Sequence, residues 1–457
     1  MTNSAPVGAR LDALGSSWAI WRLIVLVSMG GFFEFYDLMM TAYISPGLAR
    51  AGIFHLGAEG LFGLSDQGTF AAATFLGLFI GTLGFARVAD RFGRRSIFTF
   101  SLLWYSAASA MMALAHSAAA IDVWRLTAGI GIGVELVVID SYIAELAPPT
   151  MRGRAFAINQ AIQFLAVPTV AFACWILVPR APLGIAGWRW VVLAGSTGAL
   201  AVWLIRRRLP ESPRWLETRG RGVQATEILG RLGQIAPSEL AQSPTLEEGS
   251  AVRAAMPAGP GMFSRPYRRR TTMLVILNVF QAIGFYGFGN WAPSLIAAQG
   301  HALVASLGYG FVIALAYPIG PLLCVAIADR IERKLQIIIA AVATAWIGLL
   351  FARQTAPWAL IILGIGLTFS NNLLSWAYHA YQTELFPTRM RAAAVGFVYS
   401  WSRLSTVLSS LVIAALLTAG GTTAVFAFIA AAMAIVIVAV GALGPRTVGA
   451  GLDDLSP

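Results

Sequence analysis

Apolar residues in this chain fall into runs of about twenty, with short polar segments between them. The hydrocarbon core of a bilayer is about 30 Å thick and an α-helix rises about 1.5 Å per residue, so runs of this length predict membrane-spanning helices. They lie near residues 20–44, 68–86, 97–115, 121–146, 156–179 and 188–206, and again near 271–297, 304–328, 336–353, 357–383, 393–418 and 421–443. We number them spans 1 to 12. A polar stretch from about Arg207 to Arg270 separates the two sets. The pattern predicts an all-α membrane protein of twelve helices in two six-helix halves, 1–206 and 271–457, joined by a cytoplasmic linker over 207–270. The linker is short and rich in Gly, Pro and Ser, which suits short amphipathic helices better than a soluble domain. The polar start, Met1 to Ser17, leads into span 1 without a small-residue cleavage site, so that run is read as a retained helix.

Composition agrees. Hydrophobic residues make up 58% of the chain and charged residues 12%, against about 25% charged in a soluble domain. Lipid must therefore solvate much of the surface. The net charge of +11 does not point to nucleic acid, because the arginines sit in short runs between spans. Arg87, Arg91, Arg94 and Arg95 follow span 2, Arg152 and Arg154 follow span 4, Arg330, Arg333 and Lys334 follow span 8, and Arg389 and Arg391 follow span 10. The alternate loops hold little beyond Arg50, Arg180, Arg189 and Arg353. Basic loops stay on the cytoplasmic side, so both termini and the linker are expected there, in a bacterial inner membrane. Cys174 and Cys324 lie inside apolar runs and read as inert core residues. His55, His116, His301 and His379 are scattered. No metal cluster, nucleophile–base set or cofactor motif emerges, so neither an enzyme nor a cofactor is expected.

The halves repeat one another. Asp90-Arg91-Phe92-Gly93-Arg94-Arg95 follows span 2, and Asp329-Arg330-Ile331-Glu332-Arg333-Lys334 follows span 8. Tyr142-x-x-Glu145 with Pro148 and Arg152 closes span 4, and Tyr381-x-x-Glu384 with Pro387 and Arg391 closes span 10. Boxes in register at equivalent spans are the mark of an internal repeat.

These boxes, with Pro210-Glu211-Ser212-Pro213-Arg214-Trp215-Leu216 after span 6, resemble the major facilitator superfamily and its sugar-porter-like branch over nearly the whole chain. Ala86 and Glu332 stand where that pattern has glycine. The resemblance implies a secondary transporter working by alternating access, usually as a monomer. Carboxylates such as Asp90 and Glu145 can pair with arginines such as Arg152 and clamp one side shut while the other is open. The same gate role extends to Arg91, Arg94, Glu211 and Arg214, and to Asp329, Arg330, Glu384 and Arg391. The competing reading is that these arginines only fix topology.

Charge inside a span costs about 2.5–3.5 kcal/mol on insertion scales and usually marks function. Glu34 and Asp37, three residues apart, share a face of span 1. Two carboxylates that close in a low-dielectric cavity do not both ionise easily, which is the property of a proton carrier. Asp37 lies deeper in the apolar run. Glu34-Phe35-Tyr36-Asp37, with Pro46 beyond, resembles span 1 of aromatic-acid:proton symporters. Arg125 of span 4 is the counter-ion for Asp37 if spans 1 and 4 face each other, as the family fold implies. The competing reading makes the acids a fixed pair with an arginine of span 4 or 11. Gly129, Gly131 and Gly133 of span 4 read as a helix-packing run, since no strand precedes them to make a nucleotide loop.

Sugar porters carry amides on spans 5 and 7 and a tryptophan on span 10. This chain offers Asn159, Gln160, Gln163, Gln281 and Asn290. It has Phe280 in place of a second glutamine, Tyr286 in place of an asparagine and His379 in place of the tryptophan. Arg403 of span 11 adds a buried cation, and Tyr286 and Trp376 offer rings. This mixture favours a small organic acid or related metabolite carried with a proton. A sugar or polyol porter is the alternative, and a non-transporting membrane sensor is a third. Residues 156–179 hold no glycine, which argues against a drug:proton antiporter.

Overall fold

The computed structural model describes residues 10–11, 17–55, 64–92, 94–206, 209–233, 261–327, 331–387 and 390–445. The described chain is built from helices, and the twelve predicted spans are all present. Eight helical stretches are long and apolar enough by composition to cross a membrane, and one of them, Ala394–Leu443, has 50 residues, enough for two crossings. Arg94–Leu114, Ala118–Leu146 and Gly187–Arg206 supply spans 3, 4 and 6. Span 1 is the helix Trp18–Arg50, longer at both ends than its apolar run, with the Ser17 hydroxyl accepting from the Ile20 amide at its start.

Three spans are broken, and one local rule accounts for all three. Proline has no amide hydrogen, and its ring crowds the carbonyl four residues earlier. Span 5 is Pro149–Phe164 and Ala166–Leu177, span 7 is Arg265–Gly289 and Ala292–Ala298, and span 8 is Leu303–Ala314 and Ile319–Ile327. The first pieces end at Phe164, Gly289 and Ala314, four residues before Pro168, Pro293 and Pro318. Spans 11 and 12 are one helical run, Arg391–Leu443, broken at Gly421, whose φ of 63° and ψ of −161° are open essentially to glycine alone. After span 6, Pro213–Thr218 and Gly222–Gly233 form the short helices expected of the linker.

Burial tells which spans line the centre. Seventy-two per cent of the most apolar window of span 7 and 67% of that of span 1 are buried, against 39% for span 9, which faces lipid. The apolar core divides the same way. One cluster centres on spans 1 to 6 and takes in Phe285, Leu307, Ala314 and Tyr317 from the second half. The second centres on spans 7 to 12 and takes in Ala71 of span 2. A third packs the start of span 1 and the end of span 4 on the short helices, with Leu209, Leu216, Ala225 and Leu229.

Span 2 runs alongside span 4 at backbone distance. A Cβ added at Gly129 would strike the carbonyl of Thr74, and one at Gly133 that of Leu78. The glycine run of span 4 is thus a helix-packing seam, as its spacing predicts.

The halves meet at the end away from the arginine-rich loops. Gln67 of span 2 and Ser294 of span 7 exchange hydrogen bonds, Nε2 to Oγ at 2.8 Å and Oγ to Oε1 at 3.1 Å. The Tyr43 hydroxyl reaches the Gly310 carbonyl at 3.4 Å. Trp175 stacks on Phe311, with ring centroids 5.8 Å apart and planes 14° from parallel.

Candidate functional site

Asp37 is 3% exposed and Arg125 fully buried. The Arg125 guanidinium donates from Nη1 to Asp37 Oδ2 at 2.5 Å, from Nη2 to the Asp37 backbone carbonyl at 2.6 Å, and from Nε to the Thr74 hydroxyl at 2.9 Å. Ser109 of span 3 donates to Asp37 Oδ1 at 2.7 Å. Four spans therefore meet on one ion pair, and both carboxylate oxygens are held. The Phe70 ring lies 5.8 Å from the guanidinium carbon and walls off one side. Removing one partner of a buried pair typically costs about 3–5 kcal/mol, because the other charge is stranded.

Asp37 thus pairs with Arg125 of span 4 and not with an arginine of span 11, a pairing common to the proton-carrier and the fixed-pair readings of the sequence. Glu34 is fully buried one turn away, but it is not among the partners of Asp37. Gln163 of span 5 packs against Gly31, one turn before Glu34, and its amide lies 3.4 Å from the Asn159 oxygen. Gln160 beside them is half-buried.

The second half supplies a different cation. Arg403 is 3% exposed. Its Nη1 donates to the Tyr286 hydroxyl at 2.7 Å and its Nη2 to the Tyr399 hydroxyl at 2.8 Å, and its Nε has no partner. No carboxylate among the described residues pairs with it. The rings of Tyr399 and Tyr286 lie 5.0 and 5.8 Å from the guanidinium carbon. His379 sits beside this cluster, its ring 5.4 Å from that of Tyr399. His379 Nδ1 lies 2.8 Å from the Ser375 carbonyl, so the ring proton sits on Nδ1, and Nε2 lies 3.3 Å from the Tyr378 hydroxyl.

Phe75 of span 2 meets Tyr286 at 4.7 Å between centroids, and Phe164, next to Gln163, meets Tyr317 of span 8 at 5.8 Å. These contacts bring the amides of span 5 and the arginine of span 11 to a common region between the halves. Asn290, at the break in span 7, is 3% exposed, and both its amide atoms lack a partner. Gln281 is equally buried, and Trp376 is half-buried with an unpartnered indole nitrogen.

Sequence reasoning missed Thr74, Ser109, Tyr399, Tyr317 and Phe75. It also missed Asn372 of span 10, which packs on Gly320 and donates to the Tyr317 carbonyl at 3.3 Å.

Of the predicted gate residues, Glu384 pairs at 3.5 Å with Arg333, which lies outside the predicted set, Arg214 donates to the Glu145 backbone carbonyl at 3.2 Å, and Glu211 accepts from the Ser212 amide at 3.1 Å. The side chains of Asp90, Arg91, Arg94, Arg152 and Arg391, and all of Asp329 and Arg330, lie outside the described residues.

Twelve helices in two halves, with buried charge at their meeting line, define a membrane transporter of the major facilitator fold. The model of the sugar (and other) transporter family matches residues 23–457, and the chain belongs to that family. It is 30% identical over 92% of its length, and 91% of the relative's, to YyaJ of Bacillus subtilis, a protein named for metabolite transport. It is 25% identical to the niacin transporter NiaP of Acinetobacter baylyi, over 98% of this chain and 99% of that one. In fold it resembles the proton:xylose symporter XylE of Escherichia coli in a partially occluded inward-open conformation. That match has a TM-score of 0.75 and 20% identity, and covers 95% of this chain and all of XylE.

Proposed function

We propose that this sugar/metabolite transporter is a proton-coupled symporter of a small organic acid. Arg403 carries the reading. It is a buried cation between the halves whose described polar partners are hydroxyls, not carboxylates. A buried charge without an opposite charge is costly, and an incoming carboxylate would supply one. In the other half, Asp37 on Arg125 is the proton site: protonation frees Arg125 and cancels the charge that enters with the acid. Glu34 is the adjacent carboxylate. Asn159, Gln160, Gln163, Gln281, Asn290 and Trp376 orient the rest of the substrate, with Tyr286 and His379 beside Arg403. The niacin transporter among the relatives moves a compound of this size, and XylE is a proton symporter.

The positive-inside rule places the arginine-rich end in the cytoplasm, with residues 1–206 and 271–457 as the rocking halves, 207–270 as the linker, and a monomer in a bacterial inner membrane as the working unit. The contacts Gln67–Ser294 and Tyr43–Gly310 then lie on the outer side. Asp90, Glu145, Arg152 and their second-half equivalents close the inner side in the outward-facing state.

The test is uptake by proteoliposomes under an imposed pH gradient, with carboxylates screened against sugars. Accumulation of an acid, lost when the gradient is collapsed, is the expected result. The amides of spans 5 and 7 favour a second reading, a sugar or polyol porter, and uptake of neutral sugars alone would establish it.

A further inference from the structure

Serine and threonine hydroxyls inside helices commonly turn their hydrogen onto the carbonyl four residues back. Ser45 does so to Thr41 at 2.6 Å, Ser196 to Val192 at 3.1 Å, and Ser106 of span 3 to Leu102 at 2.6 Å. Thr74 follows the same rule. It donates to the Phe70 carbonyl at 2.9 Å, so only its lone pairs face Arg125 Nε. Ser109 departs from the rule. Its buried hydroxyl, 1% exposed, spends its hydrogen on Asp37 Oδ1 at 2.7 Å.

The two oxygens of Asp37 are therefore held by unlike groups. Oδ2 faces Arg125 Nη1, and a guanidinium only donates and stays charged. A proton on Oδ2 would meet a donor and find no acceptor. Oδ1 faces a hydroxyl, which can donate or accept. When Asp37 takes up a proton, Oδ1–H can donate to Ser109 Oγ, and the Ser109 hydrogen can turn to the Tyr105 carbonyl four residues back. Ser106 already makes that kind of bond on the same helix.

Few other groups compete for this part. Arg125 of span 4 is the one fixed charge on Asp37 among the described residues. Glu34 and Tyr36 lie on the same helix as Asp37, and the Tyr36 hydroxyl donates to the Val191 carbonyl of span 6 at 3.1 Å. Cys174 of span 5 lies beside Tyr36, and Tyr105 lies one turn before Ser109 on span 3. Span 2 presents Thr74 and Phe70, neither of them charged.

We infer that Ser109 is the positioning residue of the proton site: it fixes the carried proton on Asp37 Oδ1 and reverses its hydrogen bond as that proton comes and goes. The inference rests on the proton-symport reading above. One O–H bond is made and broken in each cycle, on Asp37, and Ser109 keeps its own hydrogen. In the protonated state Oδ2 is a neutral carbonyl oxygen, which loosens Arg125 as that reading requires.

Infrared difference spectroscopy of the full chain in lipid vesicles tests this with the proton as the only ligand. The carboxyl C=O band of protonated Asp37 is assigned by its loss in Asp37→Asn, and its growth is followed as pH falls. A hydrogen bond to an ionised acceptor is roughly twice as strong as one between neutral groups, so Ser109 favours the ionised form. Ser109→Ala should therefore raise the midpoint by about one pH unit and move the band, because the Asp37 hydroxyl has lost its acceptor. Ser109→Thr keeps a hydroxyl there and should restore both. Ser106→Ala, whose hydroxyl is bound to Leu102, should change neither. A Ser109→Ala midpoint and band equal to wild type overturn the assignment and leave the symport reading intact. Equal changes in Ser109→Ala and Ser109→Thr give Ser109 a packing role and overturn it too. A wild-type protein with no Asp37 band at any pH where it stays folded removes Asp37 as the proton site and sinks both readings together.

Discussion

The Tyr142 hydroxyl donates to the backbone carbonyl of Pro210 at 2.6 Å, tying the end of span 4 to the exit of span 6. Tyr381 makes the equivalent bond in the second half, to the Pro445 carbonyl at 2.7 Å, at the exit of span 12. The repeated tyrosine box thus has a structural meaning that its spacing does not reveal. In each half it fastens the fourth helix to the chain leaving the sixth. Removing the hydroxyl while keeping the ring should cost about 1 kcal/mol, the usual net value of one hydrogen bond. Tyr142→Phe and Tyr381→Phe are each expected to lower thermal stability in detergent, with additive effects in the double variant because the sites are far apart. Unchanged melting in both would show that water replaces the bond.

Asp37→Asn should abolish proton-driven accumulation while sparing counterflow exchange. The amide oxygen can still accept from Arg125, and the amide nitrogen can donate to the Ser109 hydroxyl in place of the bond it received, so the loaded carrier can rock, but it cannot carry a proton. Parallel uptake and counterflow assays in proteoliposomes separate the two. Concentration of substrate against a gradient by the variant would remove Asp37 from the coupling role.

Arg403→Gln separates the two substrate readings. An acid loses an ion-pair partner in a dry site, a loss of a few kcal/mol and so at least about tenfold in apparent affinity. A neutral polyol loses one donor at most. Competition assays with both substrate types should therefore show a selective loss for the acid. Equal effects on both would favour the sugar-porter reading.

Gly133→Val should weaken the fold without touching the charged pair. Its side chain would meet the Leu78 carbonyl, and backbone cannot step aside as a side chain can. Overpacking a tight interface costs about 1–3 kcal/mol. Reduced yield and a lower melting point are expected, while Gly153→Val, at a position with open space around it, should change neither.

Much of this was readable from the chain. Runs of apolar residues fixed the twelve spans because hydrocarbon thickness leaves little freedom in their length. The pairing of Asp37 with Arg125 was readable only through the family resemblance, which sets spans 1 and 4 face to face; the charges by themselves left an arginine of span 11 open as well. The shell around that pair was not readable. Ser106 and Ser109 look alike in sequence, yet Ser106 bonds back to the Leu102 carbonyl at 2.6 Å and Ser109 holds Asp37. Only the placement of span 3, packed on spans 4 and 6 with Ser109 reaching across to span 1, tells them apart. The breaks in spans 5, 7 and 8 follow from Pro168, Pro293 and Pro318, a local signal that a hydropathy window averages away. Arg403 was visible as a buried cation, but its partner Tyr286 lies on span 7, out of reach of local spacing, whereas Tyr399, four residues before it on span 11, carried an i,i+4 signal that was missed.

The break at Gly421 bears on how this protein can be probed. Spans 11 and 12 meet there with no polar connector, so the corner has no slack to absorb extra chain. An epitope or protease site inserted after Gly420 would replace a turn made by a single glycine, and its effect would report on folding more than on sidedness. The turn at Leu183, 88% exposed, is where a topology tag belongs.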